Sequence, residues 1–100
     1  WTKQGRQFAV MNLKGEAATF TGPKATSWAG GKLGKYCAAQ GNILAGPAVV
    51  DNMIKAFEET KGHVSMRFMA ALEGAGHRAT FARSRLIYSF TAPVFVCFSR

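Results

Sequence analysis

The sequence predicts one α+β domain containing an antiparallel hairpin, a further strand and a pair of helices. Three observations lead to this prediction. Two extended runs separated by a turn signal occupy residues 6–22. Apolar residues recur every three or four positions over residues 47–74, as on one face of a helix. The chain has 100 residues, 48% hydrophobic and 18% charged, which is enough for one modest core and too apolar for intrinsic disorder.

The first element is the hairpin. Arg6–Met11 is a short apolar run with an aromatic and a β-branched residue, which favours a strand. Asn12–Gly15 is a turn signal, because Asn suits the first turn position and Gly accepts a positive φ. Glu16–Thr21 contains Thr and Phe, which favour extended structure, and a Gly-Pro pair ends the second strand.

A loop is predicted next, over residues 23–36. It is rich in glycine and lysine, which suggests a phosphate-binding loop. The GxxxxGK[ST] pattern nevertheless fails, because Ala29 stands where the first Gly belongs and Tyr36 replaces the hydroxyl residue that would meet Mg²⁺. We therefore expect no nucleotide cofactor here.

Residues 36–45 are predicted as a short strand that leads into a tight turn. A helix from Pro47 to Lys61 follows, because Pro is favoured in the first helical turn. We expect this helix to pack against the sheet formed by Phe8–Met11 and its neighbours, through Val50, Ile54 and Phe57. The second helix is predicted to place four apolar residues on one face and to end before a glycine: Val64, Phe68, Ala71, Leu72 and Gly74.

The last quarter of the chain, residues 76–100, differs in composition. It has no Lys and no acidic residue, and it holds four of the six Arg and four of the eight Phe. Two stretches, Leu86–Phe90 and Val94–Phe98, could form strands. The motif Gly74-x-Gly76-x-x-Ala79 formally matches GxGxxA, but it follows a predicted helix, so a dinucleotide site is not expected.

The net charge is +8, from 13 basic and 5 acidic residues. Such a balance suggests nucleic acid as a partner, and the Arg and aromatic residues of Phe81–Tyr88 could meet phosphates and stack on bases. The lysines are spread from Lys3 to Lys61 and match no binding motif, so at most weak, non-specific binding is expected. Cys37 and Cys97 lie far apart in sequence; they could pair, and reduced thiols are the default expectation.

The most specific motif is the run Gln40–Val50, which reads QGNILAGPAVV. It is accompanied in order by Arg6-Gln7, Thr21-Gly22 and Trp28-Ala29-Gly30, and then by Met53, Ala56 and Phe57. Together these motifs resemble the bacterial DUF1028 family, which belongs to the N-terminal nucleophile (Ntn) hydrolase superfamily, over about residues 6–74.

The resemblance implies a fragment of an Ntn-hydrolase-like αββα sandwich, from the C-terminal part of the domain. The family's first half carries the expected nucleophile, and nothing here matches it. We expect residues 1–75 to be the partial domain and residues 76–100 to be an atypical tail outside this fold. After the second helix, the family usually continues with a particular turn and an apolar strand, and this chain has a different sequence there. Together with the change of composition, this difference suggests a reading-frame change near Gly76. Gly31 and Ala25 also stand where the family usually has His and Cys.

The function implied by the resemblance is amide-bond hydrolysis by a parent protein, with this chain inactive alone. An Ntn nucleophile uses its own α-amine as base, which Trp1 cannot provide; Thr2 would first need Trp1 removed. The candidate oxyanion or substrate-supporting residues are Gln40, Asn42 and Arg6. The amide N–H groups of Gln40 and Asn42 could stabilise a developing oxyanion, and Arg6 could bind substrate or pair with a carboxylate. Turn stabilisation by Asn42 and Gln40 and a surface position for Arg6 are the alternatives.

Other chemistry is less favoured. Cys37 as a nucleophile would need His63 or His77 beside it, and a buried inert thiol is favoured instead. No metal or cofactor site is expected. Two alternatives to a hydrolase fragment stay open: a small nucleic-acid-binding module, and a non-catalytic oligomerisation module. No signal peptide or membrane span is visible, which favours the cytoplasm; the possible partners are an amide or peptide substrate of the parent and a second copy of the chain.

Overall fold

The computed structural model describes residues 2–25, 28–77 and 94–97. In chain order the strands are β1 (Gln7–Met11), β2 (Ala17–Thr21), β3 (Gly30–Gly34) and β4 (Cys37–Gly41). The described helices are α1 (Ala48–Glu59) and α2 (Val64–His77), and β5 (Val94–Cys97) is the last described strand. A single 3₁₀ turn, Lys3–Gly5, precedes β1. The α+β class predicted from the sequence is confirmed.

The described elements form three layers. β1 and β2 make an antiparallel two-stranded sheet, and β3, β4 and β5 make an antiparallel three-stranded sheet with β4 in its centre. β2 lies against β3 and β4, and the Gln7 side chain of β1 hydrogen-bonds Gly41 of β4, so one face of the three-stranded sheet lies against the hairpin. Helix α1 lies on the other face, and α2 packs against α1.

The hairpin is confirmed as predicted. The Asn12 side chain accepts hydrogen bonds from the backbone N–H groups of Lys14 and Glu16, and Gly15 has φ +82°. A side chain at Gly15 would overlap the Tyr36 ring, so this turn requires glycine for its conformation and for its close approach to Tyr36.

The prediction of a loop over residues 23–36 is wrong for the second half of that range, where β3 forms. Three of the five β3 residues are glycines, a composition that disfavours strands. The strand exists because every residue of β3 pairs with a residue of the buried strand β4, from Gly30 opposite Gly41 to Gly34 opposite Cys37.

Helix α1 begins directly after Pro47, and its apolar stripe is buried as predicted. Its packing partner differs from the prediction. The buried face of α1 lies against Cys37 and Ala39 of β4 and against α2, and not against Phe8–Met11. The small side chains of β4 let the helix approach the sheet closely, while the hairpin occupies the far side of that sheet.

Helix α2 continues past Gly74 to His77, so the predicted end at Gly74 is wrong. Gly74 lies where α2 crosses α1: a side chain there would sit 2.9 Å from the Asn52 carbonyl oxygen. This glycine allows the close approach of two helices and does not terminate one. Leu72, predicted on the packed face, is 48% exposed.

Strand β5 confirms the prediction of a strand at Val94–Phe98 to within one residue. It pairs with β4 from Cys37 opposite Cys97 to Gln40 opposite Val94. These four residues of the tail therefore belong to the central sheet, contrary to the expectation that the tail lies outside the fold. The predicted strand at Leu86–Phe90 lies outside the described residues, and the frame change and the boundary at residue 75 stay predictions.

Candidate functional site

Gln40 is the buried polar side chain of the central strand. β4 is buried along its whole length, and Gln40 is only 2% exposed. Successive side chains of a strand point to opposite faces of the sheet. Because Cys37 and Ala39 belong to the core under the helices, Gln40 faces the hairpin. The predicted candidate therefore lies between the two sheets.

Gln7 meets the end of β4 from the hairpin. Its Nε2 donates hydrogen bonds to Thr21 Oγ1 at 3.0 Å and to the Gly41 carbonyl oxygen at 2.9 Å. Gly41 is the residue after Gln40, and Thr21 is the partner of Gln7 in the hairpin register. One amide group thus joins both hairpin strands to the strand end where Gln40 lies.

Thr19 and Gly31 complete the contact between the sheets. A side chain at Gly31 would lie 3.1 Å from Thr19 Oγ1 and 3.2 Å from the Cβ of Gln40. The glycine therefore brings a hydroxyl and an amide side chain close together. We call Gln7, Thr19, Thr21 and Gln40 the inter-sheet polar cluster.

The amide oxygen of Gln40 is not satisfied by its surroundings. Its Oε1 is buried and has no hydrogen-bond partner within the part of the chain that the structure describes. Burying such an acceptor without a partner costs about 1–3 kcal/mol, so most buried amides have one. Gln40 is therefore the member of the inter-sheet polar cluster whose acceptor the described residues leave without a donor.

Asn42 follows Gln40 after one residue and starts the turn after β4. It is partly buried, and its Oδ1 is shielded from solvent. The next residue, Ile43, has φ 54°, and the Leu44 N–H donates to the Trp28 carbonyl oxygen at 3.0 Å. Trp28 packs against the core, which fixes the turn. The structure thus brings Gln40 and Asn42 to one strand end, as predicted.

Arg6, the third candidate, lies just before β1 and is exposed. Its backbone carbonyl accepts the Gly22 N–H at 2.8 Å, which closes the open end of the hairpin. Sequence reasoning selected Arg6 and missed its neighbour Gln7, which reaches the Gly41 carbonyl. The alternation of inward and outward residues along β1 could have identified Gln7. It shares the inward face of the strand with Ala9 and Met11, where a polar residue is unusual.

A match to a family model covers residues 2–84, which is most of the chain, and the model is that of DUF1028, a family of unknown function. The chain belongs to the DUF1028 family. The match extends past Gly76 into the tail. No curated protein matches the chain.

The crystal structure of a DUF1028 protein from Silicibacter pomeroyi is similar to this chain, with a TM-score of 0.67 and 34% sequence identity. The alignment covers 70% of this DUF1028 chain and 32% of the Silicibacter protein. The chain therefore spans about one third of the length of that relative.

The other side chains considered for catalysis lie elsewhere in this DUF1028 chain. Cys37 is wholly buried on the helix side of the central sheet, opposite to Gln40. His63 precedes α2, where its Nδ1 accepts the Ser65 backbone N–H at 3.3 Å, so it caps the helix. Thr2 is exposed, and the side chain of His77 lies outside the described residues.

A shallow groove of about 230 Å³ lies between β3 and α1. Lys32 and Asp51 form an ion pair of 2.8 Å across it, and Glu58 Oε1 accepts the Lys35 backbone N–H at 2.7 Å. Lys32 pairs with Ala39 in the sheet and so shares the helix-facing side. The groove is separated from the inter-sheet polar cluster by the sheet itself.

Within residues 2–25, 28–77 and 94–97, no three His, Cys, Asp or Glu side chains converge as metal ligands. Over the same ranges, neither helix is long and apolar enough to cross a bilayer.

Proposed function

We propose that this chain forms part of an amide-bond hydrolase of the Ntn type and contributes Gln40 as a substrate-supporting residue. The observation that carries the proposal is the Gln40 amide, which is 2% exposed and has an Oε1 with no partner among the described residues. The sequence resemblance points to the same class of enzyme.

The chemistry of the cluster suits this role. An amide side chain offers two N–H donors and one carbonyl acceptor, so it can bind both the carbonyl oxygen and the N–H of a substrate amide. Donors held in place beside a carbonyl stabilise the oxyanion that forms during hydrolysis. Gln7 holds the Gly41 end of β4 in position, and Asn42 lies one residue beyond. Arg6 stays a candidate for binding an anionic group of the substrate at the open end of the hairpin.

The nucleophile belongs, in this proposal, to a part of the parent protein beyond this chain. Thr2 is exposed in front of a 3₁₀ turn and not on a strand, and Cys37 faces the helices. The chain alone is therefore expected to be inactive. Purified chain should give no turnover above background with a panel of primary, secondary and aryl amides. Turnover that Thr2→Ala or Cys37→Ala abolishes would contradict the proposal.

A chimera tests the role of Gln40 directly. The matched segment of the Silicibacter relative is replaced by the corresponding residues of this chain, and amide hydrolysis is measured with the same panel. We expect Gln40→Ala to lower kcat/KM about 10- to 100-fold, because the variant loses the Oε1 acceptor for a substrate N–H group and the Nε2 donors for the substrate carbonyl. Lys55→Ala is the matched control, because the Lys55 side chain is 70% exposed on α1.

The reaction class and the role of Gln40 are tested by different outcomes of this experiment. If neither the relative nor the chimera hydrolyses any amide, the assigned reaction class is wrong. If the chimera is active and the folded Gln40→Ala variant keeps its kcat/KM, the assignment of Gln40 is wrong. Folding of each variant is checked by its melting transition.

A non-catalytic oligomerisation module is the second candidate function. The outer face of the hairpin supports it: Phe8 and Phe20 stack there at 4.9 Å, while Phe8 is 50% and Val10 61% exposed. A face of two five-residue strands is small beside the roughly 800 Å² that each partner buries in a stable complex, which places this candidate second. Sedimentation of the chain with and without Phe8→Ser tests it: a dimer that becomes a monomer would favour this candidate.

A further inference from the structure

Two cysteines from distant parts of the sequence meet in the central sheet. Cys37 begins β4 and Cys97 ends β5, and they are direct partners in the antiparallel register. Directly opposed residues of antiparallel strands have Cα atoms about 4.5 or 5.5 Å apart. Disulfides form over Cα separations of about 4.4–6.8 Å. The backbone pairing therefore places these residues within disulfide range.

We infer that Cys37 and Cys97 form a cross-strand disulfide under oxidising conditions and that this bond locks β5 onto β4. The effect of this disulfide depends on which two strands it joins. β5 is joined to the sheet by its pairing with β4, whereas β4 lies in the core on both faces. A covalent link would tie the last described strand to the most buried one.

The reduced state has a defined geometry on the β4 side. The Cys37 sulfur lies over Gly34 of β3, where a side chain at Gly34 would be only 2.7 Å from it. Because Cys37 is fully buried, its reaction with an oxidant requires a local opening of the fold.

Oxidation needs an electron acceptor, and a small disulfide such as oxidised glutathione supplies it. One protein thiolate attacks a glutathione sulfur, which forms a mixed disulfide and releases one glutathione thiolate. The second protein thiolate displaces the other glutathione and closes the Cys37–Cys97 bond. The two thiol protons end on the two released glutathione molecules, and the two electrons from the protein thiols reduce the glutathione disulfide.

The experiment equilibrates the full chain with oxidised glutathione, quenches it with acid and analyses intact mass and proteolytic peptides. We expect a monomer that has lost two hydrogens and a cross-linked peptide that joins Cys37 to Cys97. The oxidised form should have an unfolding equilibrium constant on the order of a thousandfold lower, because the bond closes a loop of about 60 residues in the unfolded chain. Reduction by dithiothreitol should reverse both changes.

Moving one cysteine by a single residue gives the matched control. In the double variant Cys97→Ser, Val96→Cys, the new cysteine is opposite Ala38 and belongs to the other face of the strand. This variant should stop at the glutathione adduct without a cross-link. Adding Cys37→Ala and Ala38→Cys restores a direct pair in the same register and should restore the cross-link.

Three results would overturn the inference. The first is a wild-type chain that stays reduced or stops at the glutathione adduct when other thiols in the mixture are oxidised. The second is cross-linking between chains in place of within a chain. The third is equally fast cross-linking of the wild type and the shifted variant, since pairing without register selectivity would mean that β5 is not held opposite β4. The first two results use the wild-type chain alone, so they do not depend on whether a variant folds; for the third, the melting transition of the shifted variant is checked first.

Discussion

Replacing Phe57 by alanine tests how the core of this DUF1028 chain is held together. Phe57 is 1% exposed and lies at the centre of the core formed by α1, α2 and β4. Its ring meets the Phe68 ring edge to face at 6.1 Å, and the Arg67 guanidinium carbon lies 4.1 Å from its centroid. The Arg67 Nε also donates to the Phe57 carbonyl oxygen at 3.2 Å. One side chain therefore joins both helices.

The expected loss follows from these contacts. Removing a fully buried Phe side chain costs about 3–5 kcal/mol, which includes the cavity it leaves. The aromatic pair with Phe68 contributes about 0.5–1.5 kcal/mol of interaction energy that the same substitution removes. We expect Phe57→Ala to lower the free energy of unfolding by about 4 kcal/mol. That is a large share of the stability of a small domain, which is about 5–15 kcal/mol in total.

Urea unfolding followed by far-ultraviolet circular dichroism measures this loss. Met66→Ala is the control, because Met66 is 63% exposed on α2 and should cost less than about 0.5 kcal/mol. A double-mutant cycle with Phe68→Ala should give a coupling energy of about 0.5–1.5 kcal/mol. The account of the core is refuted if Phe57→Ala costs no more than Met66→Ala, or if the cycle shows no coupling.

Three further predictions concern the ends of elements and the charge. His63→Ala should destabilise the chain by about 0.5–2 kcal/mol in the same urea assay, because the cap on the Ser65 N–H is lost, while His63→Asn should restore most of the loss; equal losses would contradict the capping role. Deleting residues 94–100 should lower the melting temperature, because it removes the strand paired with β4; an unchanged transition would support a tail outside the fold. Binding of single-stranded DNA, measured by fluorescence anisotropy, should be weak and lost at moderate salt. A tight, salt-resistant complex weakened by Arg83→Ala would favour the nucleic-acid alternative.

The sequence alone determined the elements whose signals are local. The Asn12–Gly15 turn is specified by side-chain hydrogen bonds to neighbouring backbone groups and by a positive φ at Gly15. The apolar stripe of α1 is specified by its spacing, and the residues of this stripe are buried: Val49, Val50, Met53, Ile54 and Phe57. The turn and the stripe depend only on residues a few positions apart, so both can be predicted from the sequence pattern alone.

The candidate site was predicted only in part. Gln40 and Asn42 were selected because they follow a short buried strand within a specific motif, and the structure places both at the end of β4. Gln7 and Thr19 could not be assigned to the same place, because they reach it only when the hairpin packs on the central sheet.

Tertiary structure decided which surfaces meet. β3 is rich in glycine and has little strand preference of its own, so it forms because β4 offers it a full set of hydrogen-bond partners. Gly74 looks like a helix end in the sequence, but α2 continues through it. The residue is a glycine because α1 lies too close at this point for a side chain. The partner of α1 was wrongly assigned to the hairpin for the same reason: an amphipathic pattern shows that a face is buried, and only the packed fold shows what buries it.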